Sequence, residues 1–228
     1  MNRTYKHIFF DLDHTLWDFD KNSALTFEKI FEIYNVEVDV SKFLSIYEPV
    51  NSNYWKLYRE DKIDKAQLRY GRLKDSFDTL GHTIEDRLIN ILSDAYIEYL
   101  TSFNHLFEHT QETLEYLRPR YKLHIITNGF QEAQQKKIEA SNLQEYFQTI
   151  TNSEMVGVKK PNPLIFNHAM HLAKARPEES LMVGDNLEAD ILGALNVGLD
   201  AIFFNIRKDE VNVPVKQIQK LSDLKLYL

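Results

Sequence analysis

The sequence predicts an α/β protein, a doubly wound parallel sheet with an inserted all-helical domain, and three observations predict it. Apolar runs with polar tips recur at 5–10, 123–127 and 181–184, with shorter ones near 148–151 and 201–204. Strands buried on both faces of a parallel sheet read as such near-continuous runs. Helical patterns separate the later runs, which is the alternation of βαβ units. The stretch between Asp13 and Thr127 is too long for one crossover, and over most of its length it places Leu, Ile, Phe and Tyr at three-and-four spacing. The expected division is a sheet-bearing domain of residues 1–17 and 104–228 and a helical domain of residues 18–103.

The first run, Tyr5-Lys6-His7-Ile8-Phe9-Phe10, leads directly into Asp11-Leu12-Asp13-His14-Thr15. Open α/β sheets bind ligands beyond the carboxyl ends of their strands. Residues i and i+2 share a face only while the chain is extended. Past the strand end, Asp11 and Asp13 point at one reacting group from different directions, so one can attack while the other moves a proton. Phosphoryl transfer through a covalent enzyme intermediate requires that division. Taken alone, Asp-x-Asp reads as a solvated turn with an Asx cap.

In the insertion, the clearest helix carries Ile84, Leu88, Ile91, Leu92, Ala95, Tyr96 and Tyr99 on one face. Gly81 and Thr83 read as the stop of one helix and the cap of the next. Pro49 is expected to kink or divide the helical stretch around 43–58. Asn51, Trp55 and Arg72, with Tyr54, Tyr58 and Arg69, combine aromatic, amide and basic groups. Aromatic faces stack on a nucleobase and Arg or Asn reads its edge, although at helical spacing the same residues also read as core. Trp17 and Phe19, in the turn leading into the helical insertion, either line a pocket or pack the hinge.

The second long strand ends in Thr127-Asn128-Gly129. A hydroxyl and successive backbone N–H groups form a concave donor site for an anion, and Gly129 is expected to permit a sharp turn. The tripeptide also reads as a strand-to-helix turn capped by Asn128. In Val158-Lys159-Lys160-Pro161-Asn162-Pro163 the prolines stiffen a loop before a helix over 164–174. A lysine beside that loop is a fixed positive charge, which offsets repulsion between a phosphate and a carboxylate. The run Met182-Val183-Gly184 ends in Asp185, expected beside Asp11 and Asp13 at the strand tips. Converging carboxylates repel unless a cation lies between them, and hard oxygen donors suit Mg²⁺. Asp190, in the following helix, either braces Asp185 or Lys160 from behind or simply favours the helix dipole. Residues 211–217 read as a loop or edge segment and 221–228 as a short terminal helix.

Composition narrows the function. The chain has 228 residues, 43% of them hydrophobic, enough for a core and an insertion. With 27 basic and 34 acidic residues the net charge is −7, which argues against nucleic-acid polymers and anionic membranes as partners. The absence of cysteine excludes disulfides, thiol nucleophiles and thiolate zinc sites. No run is long and uncharged enough to span a bilayer, and Asp11 and Asp13 interrupt the opening apolar run, so no signal peptide is read and a cytoplasmic location is expected. The pairs His105/His109 and His168/His171 lack a His-Glu-x-x-His frame and a third ligand.

In chain order these pieces are an acidic pair, a hydroxyl donor, a lysine and a further acid, and in that order and context the chain resembles the haloacid dehalogenase superfamily of phosphohydrolases. The resemblance implies that Asp11 is the nucleophile, Asp13 the general acid/base, and Thr127 the phosphoryl-binding hydroxyl, with Asn128 and Gly129 beside it. Lys160, immediately before Pro161, is the charge-stabilising lysine. Asp11, Asp185 and the backbone carbonyl of Asp13 hold Mg²⁺. The insertion becomes an all-helical cap. Dehalogenases of the superfamily lack an acid two residues after the nucleophile, because a halide leaves without a proton; Asp13 therefore favours a phosphatase. The stretches Val50-Asn51…Trp55…Gly71-Arg72, Ile126-Thr127-Asn128-Gly129-Phe130, Ser153-Glu154-Met155-Val156-Gly157-Val158 and Asp190-Ile191-Leu192-Gly193 resemble the noncanonical pyrimidine nucleotidases. The expected activity is a phosphoric monoester hydrolase acting on a small phosphorylated metabolite, a nucleoside monophosphate, with Asn51, Trp55 and Arg72 reading the substrate. The alternative is a phosphatase or phosphotransferase/mutase acting on small sugar phosphates.

Overall fold

A computed structural model of the chain describes residues 4–228. Its strands are β1 (His7–Phe10), β2 (Lys122–Thr127), β3 (Phe147–Asn152), β4 (Ser180–Gly184), β5 (Asp200–Phe204) and β6 (Lys216–Ile218). They form one sheet in the order β3-β2-β1-β4-β5-β6, and every neighbouring pair is parallel. Between β1 and β2 lie α1 (Phe19–Ile33), α2 (Val40–Arg59), α3 (Lys65–Thr79), α4 (Asp86–Leu100) and α5 (Thr110–Leu117). After β2 comes α6 (Gln131–Ala140), after β3 come α7 (Ser153–Val156) and α8 (Pro163–Ala173), and after β4 a π-helical turn (Leu187–Leu192) leads into α9 (Gly193–Asn196). The architecture is the doubly wound α/β class that the apolar runs predict. The edge strand β6 falls at the end of the segment read as loop or edge, and the terminal turn Leu221–Leu226 is 3₁₀.

The chain folds as two units, residues up to Phe19 together with Asn104–Leu228, and Asp20–Phe103. In the first unit β1 is the central strand and is buried along its whole length. Phe10 pairs with Ile125 on one side and Val183 on the other. The chain order therefore runs outward in opposite directions from β1, and the carboxyl ends of β1, β2 and β4 open at a topological switch point. Beneath that edge Phe9, Ile126 and Met182 form one core with Ile165, Phe166 and Ala169 of α8 and Ile191 and Ala194.

The second unit has a core of its own built from aromatic rings. The Phe27 ring lies 4.6 Å from Tyr47, 4.8 Å from Tyr96 and 4.9 Å from Phe43. Asp39 caps α2 through Lys42 N (3.0 Å), and α3 opens on a reciprocal capping box between Asp64 and Gln67. Two local expectations are refined or corrected. Of the two outcomes expected at Pro49, division does not occur: α2 stays one helical element, with Phe43, Tyr47 and Asn51 buried on either side of the proline. Gly81 does take a positive φ (78°) after α3, but Glu85 and not Thr83 stands at the start of α4. Glu85 makes no side-chain cap bond there, and Asp86 supplies acidic charge to the first turn. No helix among the described residues is long and apolar enough to cross a membrane.

Candidate active site

Asp11 follows β1 directly, and its N–H still donates to Val183 O (2.9 Å). The chain then turns out of the sheet. Leu12 O accepts from Leu16 N and Trp17 N (both 2.9 Å), and His14 adopts the left-handed conformation (φ 60°). That turn releases Asp11 and Asp13 from strand alternation.

Asp11 Oδ1 accepts from Lys160 Nζ at 2.6 Å. The same ammonium donates to Ile126 O (2.7 Å) and lies 2.6 Å from Asp190 Oδ1. Three acceptors thus surround a group with three hydrogens. Lys160 is 2% exposed, whereas Lys159 is half-buried. Asn128 fixes the backbone of Lys160 from both sides: its Oδ1 accepts from Lys160 N (2.8 Å) and its Nδ2 donates to Lys160 O (2.9 Å). The Lys160–Pro161 peptide is cis. The cap of α6 is Phe130, so Asn128 clamps the lysine loop and does not cap the helix.

The chain bends at Gly129, as expected, without a positive φ. The glycine makes room: a Cβ there would lie 2.5 Å from the Gln134 carboxamide. Gln134 Nε2 donates to Thr127 Oγ1 (2.6 Å) and to Asp13 Oδ2 (2.9 Å). Thr127 Oγ1 also accepts from Gly129 N (3.2 Å). Both of its lone pairs are engaged, which leaves its hydrogen to donate.

The Asp13 carboxylate is turned toward α6, where Lys137 Nζ lies 2.6 Å from its Oδ1. This corrects the expectation that Asp13 joins the acidic group through its side chain. One oxygen each of Asp11, Asp185 and Asp190 lie within 4.8 Å of one another, and that group does not include Asp13. Thr15 Oγ1 donates to Asp185 Oδ1 (3.3 Å). Asp190 reaches inward from the π-helical turn and also accepts Asn186 N on its Oδ2 (3.1 Å). A Cβ at Gly184 would collide with that Oδ2, so the second strand-tip glycine also provides space.

Three crowded acids face one lysine. Burial, then repulsion from Asp190 and Asp13, raises the Asp11 carboxyl to about 7 against the opposing pull of Lys160. Burial, Asp11 and Asp190 hold Asp185 well above the usual carboxylate range. Burial lowers Lys160, but Asp11 and Asp190 outweigh it and hold the ammonium at about 12. A second cation relieves the remaining repulsion, and an all-oxygen donor set of this size fits a hard divalent ion.

The other candidates lie in the helical unit. Arg72, 2% exposed, donates to Asn51 Oδ1 (2.9 Å), and its guanidinium sits 4.9 Å from the Tyr96 ring centroid. Asn51 and Arg72 are therefore brought together. Trp55 is half-buried one turn further on, edge-on to Tyr58 at 5.7 Å. Sequence reasoning missed Thr15, Gln134 and Lys137. The signal for the last two is that they share the buried face of α6 with Ala133 and Ile138, an unusual place for a lysine and a carboxamide.

The sequence matches the haloacid dehalogenase-like hydrolase family over residues 5–198. It is 36% identical over 205 residues to pyrimidine 5′-nucleotidase YjjG of Escherichia coli, covering 89% of this chain and 87% of that protein. It is 32% identical over 203 residues to pyrimidine 5′-nucleotidase PynA of Streptococcus pneumoniae, covering 88% and 84%. The solved structure of the HAD-hydrolase YfnB from Bacillus subtilis bound to magnesium aligns with a TM-score of 0.88 at 28% identity, covering 98% of each chain. The chain belongs to the haloacid dehalogenase-like hydrolases. Within that family it is a phosphatase, a phosphoric monoester hydrolase.

Proposed function

We propose that the chain is a Mg²⁺-dependent 5′-nucleotidase that releases phosphate from pyrimidine nucleoside monophosphates through an aspartyl-phosphate on Asp11. The observation that carries the chemistry is the buried Lys160 held on Asp11 at 2.6 Å, with Asp185, Thr127 and Asp13 at neighbouring strand ends. Similarity to two pyrimidine 5′-nucleotidases over most of the chain supports the substrate.

Asp11 forms the new bond to phosphorus as the ester P–O bond breaks, and Asp13 protonates the departing oxygen. Asp13 then takes a proton from water, which attacks the aspartyl-phosphate; phosphate leaves and Asp11 is restored. Lys160, the Thr127 hydroxyl and the backbone N–H groups of Asn128 and Gly129 spread the charge on the transferring group. Mg²⁺, held by Asp11, Asp185 and the carbonyl of Asp13, supplies the positive charge that lets a phosphate approach two carboxylates. Asp190 keeps Lys160 in place. Trp55, Asn51 and Arg72 read the nucleobase in this proposal, the helical unit acts as a cap, and the cytoplasm is the place of action.

The test is phosphate release from a panel of nucleoside 5′-monophosphates and sugar phosphates, with and without Mg²⁺. Pyrimidine monophosphates are expected to react fastest, only with Mg²⁺ and without a sugar acceptor. Faster release from sugar phosphates overturns the substrate assignment, and release from no monoester overturns the chemistry.

A further inference from the structure

The same site contains two side chains that the reaction above does not use. Lys137 is 2% exposed, and its Nζ lies 2.6 Å from Asp13 Oδ1 and 4.3 Å from the centroid of the Trp17 ring. Gln134, one turn earlier on α6 and equally buried, donates Nε2 to Asp13 Oδ2 and to Thr127 Oγ1. An ionised Asp13 only accepts, and the carboxamide presents its nitrogen to it.

An incidental ion pair holds a carboxylate at one point and leaves it free to rotate. Asp13 is held at both oxygens by two donors from one helix, which fixes the plane of its carboxyl group. A lysine is rarely buried this deeply, and this one is met by a carboxylate and an aromatic face. Gln134 adds a link between two roles. Its bond to Thr127 Oγ1 takes a lone pair, so the same amide that orients Asp13 also turns the Thr127 hydrogen outward.

We propose that Lys137 and Gln134 are positioning residues that set the plane of the Asp13 carboxyl for proton transfer to the leaving oxygen, with Gln134 coupling that plane to the Thr127 hydroxyl. This inference rests on the phosphatase reading above. It carries a chemical signature. A nucleoside leaves as an alkoxide and needs the proton when its P–O bond breaks; p-nitrophenolate leaves without one. A misoriented Asp13 therefore slows the first step for a nucleoside 5′-monophosphate and spares it for p-nitrophenyl phosphate. A purely structural lesion slows both alike.

The experiment uses the full chain with Mg²⁺ in single turnover, enzyme in excess, on both esters. In Lys137→Met and Gln134→Met, alcohol release from the nucleotide is expected to fall about 30-fold or more, while nitrophenolate release stays within about 3-fold of the parent. Lys137→Arg is expected to recover most of the nucleotide rate. In an Asp13→Asn background, Lys137→Met is expected to add less than about 3-fold, because the group it positions is already gone. Equal losses on the two esters, or full additivity with Asp13→Asn, overturns the proposal. Should Lys137→Met not fold, Gln134→Met carries the same comparison. A parent that cleaves neither ester sinks the phosphatase reading instead.

Discussion

Two glycines at strand tips, Gly129 and Gly184, owe their identity to neighbours that a sequence does not show beside them. A methyl group at 184 would collide with the Asp190 carboxylate, the group that shares Lys160 with Asp11. Gly184→Ala is therefore expected to displace Lys160 and to reduce kcat about 100-fold, since small misplacements at a reacting centre cost that much. Steady-state kinetics on a variant that retains its helical circular dichroism decides it, and an unchanged kcat contradicts the coupling. Asp11→Asn is expected to keep the fold and to disable the carboxylate that attacks in the proposed mechanism. Turnover should drop by at least about 1,000-fold, and mass spectrometry should find no phosphoprotein.

Adjacent strands share a titratable chain that lies along the sheet and plays no part in the chemistry. His7 Nδ1 meets His124 Nε2 at 3.0 Å, and His124 Nδ1 meets Thr149 Oγ1 at 2.8 Å, linking β1, β2 and β3. Burial, then the neighbouring His7 and Lys122, lowers His124 to about 3. An unfolded histidine takes its proton near pH 6.5. The folded state refuses that proton, so stability is intact above pH 6.5 and is lost as the pH falls from there toward 3. The loss from this one group between pH 7 and pH 5 is about 2 kcal/mol. His124→Asn, compared with the parent by urea unfolding at saturating Mg²⁺, should flatten that acid limb. An unchanged slope excludes His124 as its source.

For the whole molecule the excess negative charge at the sheet edge links stability, protons and metal. Asp11 and Asp185 have raised pKa values, so the metal-free folded state binds protons that the unfolded chain has released. That contribution is full below about pH 4, the unfolded value, and is lost as the pH rises through about 7. In the proposed complex Mg²⁺ would take the place of those protons. The rise in Tm caused by Mg²⁺ should therefore be larger at pH 8 than at pH 6, and Asp185→Asn should shrink it. A rise that is larger at pH 6 contradicts the assignment of the cation to these acids.

Legibility followed the range of the forces. The strands that became β1, β2, β4 and β5 were readable because burial on both faces leaves an unbroken apolar run, and their tips were readable because polar groups stop it. Lys160 stood out beside Pro161 for a similarly local reason. The start of α4 was misplaced because Thr83 is a good cap by composition, while the helix begins where Ile89, Leu92 and Tyr96 reach their core. Gln134 and Lys137 were missed because their partner Asp13 lies more than a hundred residues earlier, and no local pattern connects them. The sequence by itself determined which segments become buried strands, which acids and hydroxyl stand at their ends and which lysine lies in a stiffened loop, since hydrophobic burial and backbone restriction act along the chain. Only the tertiary structure decided which way those side chains face: Asp190 onto Lys160, Asp13 away from the acidic group and onto α6. Contacts between distant segments and the repulsion of buried charges set those directions, and both exist only once the sheet has closed.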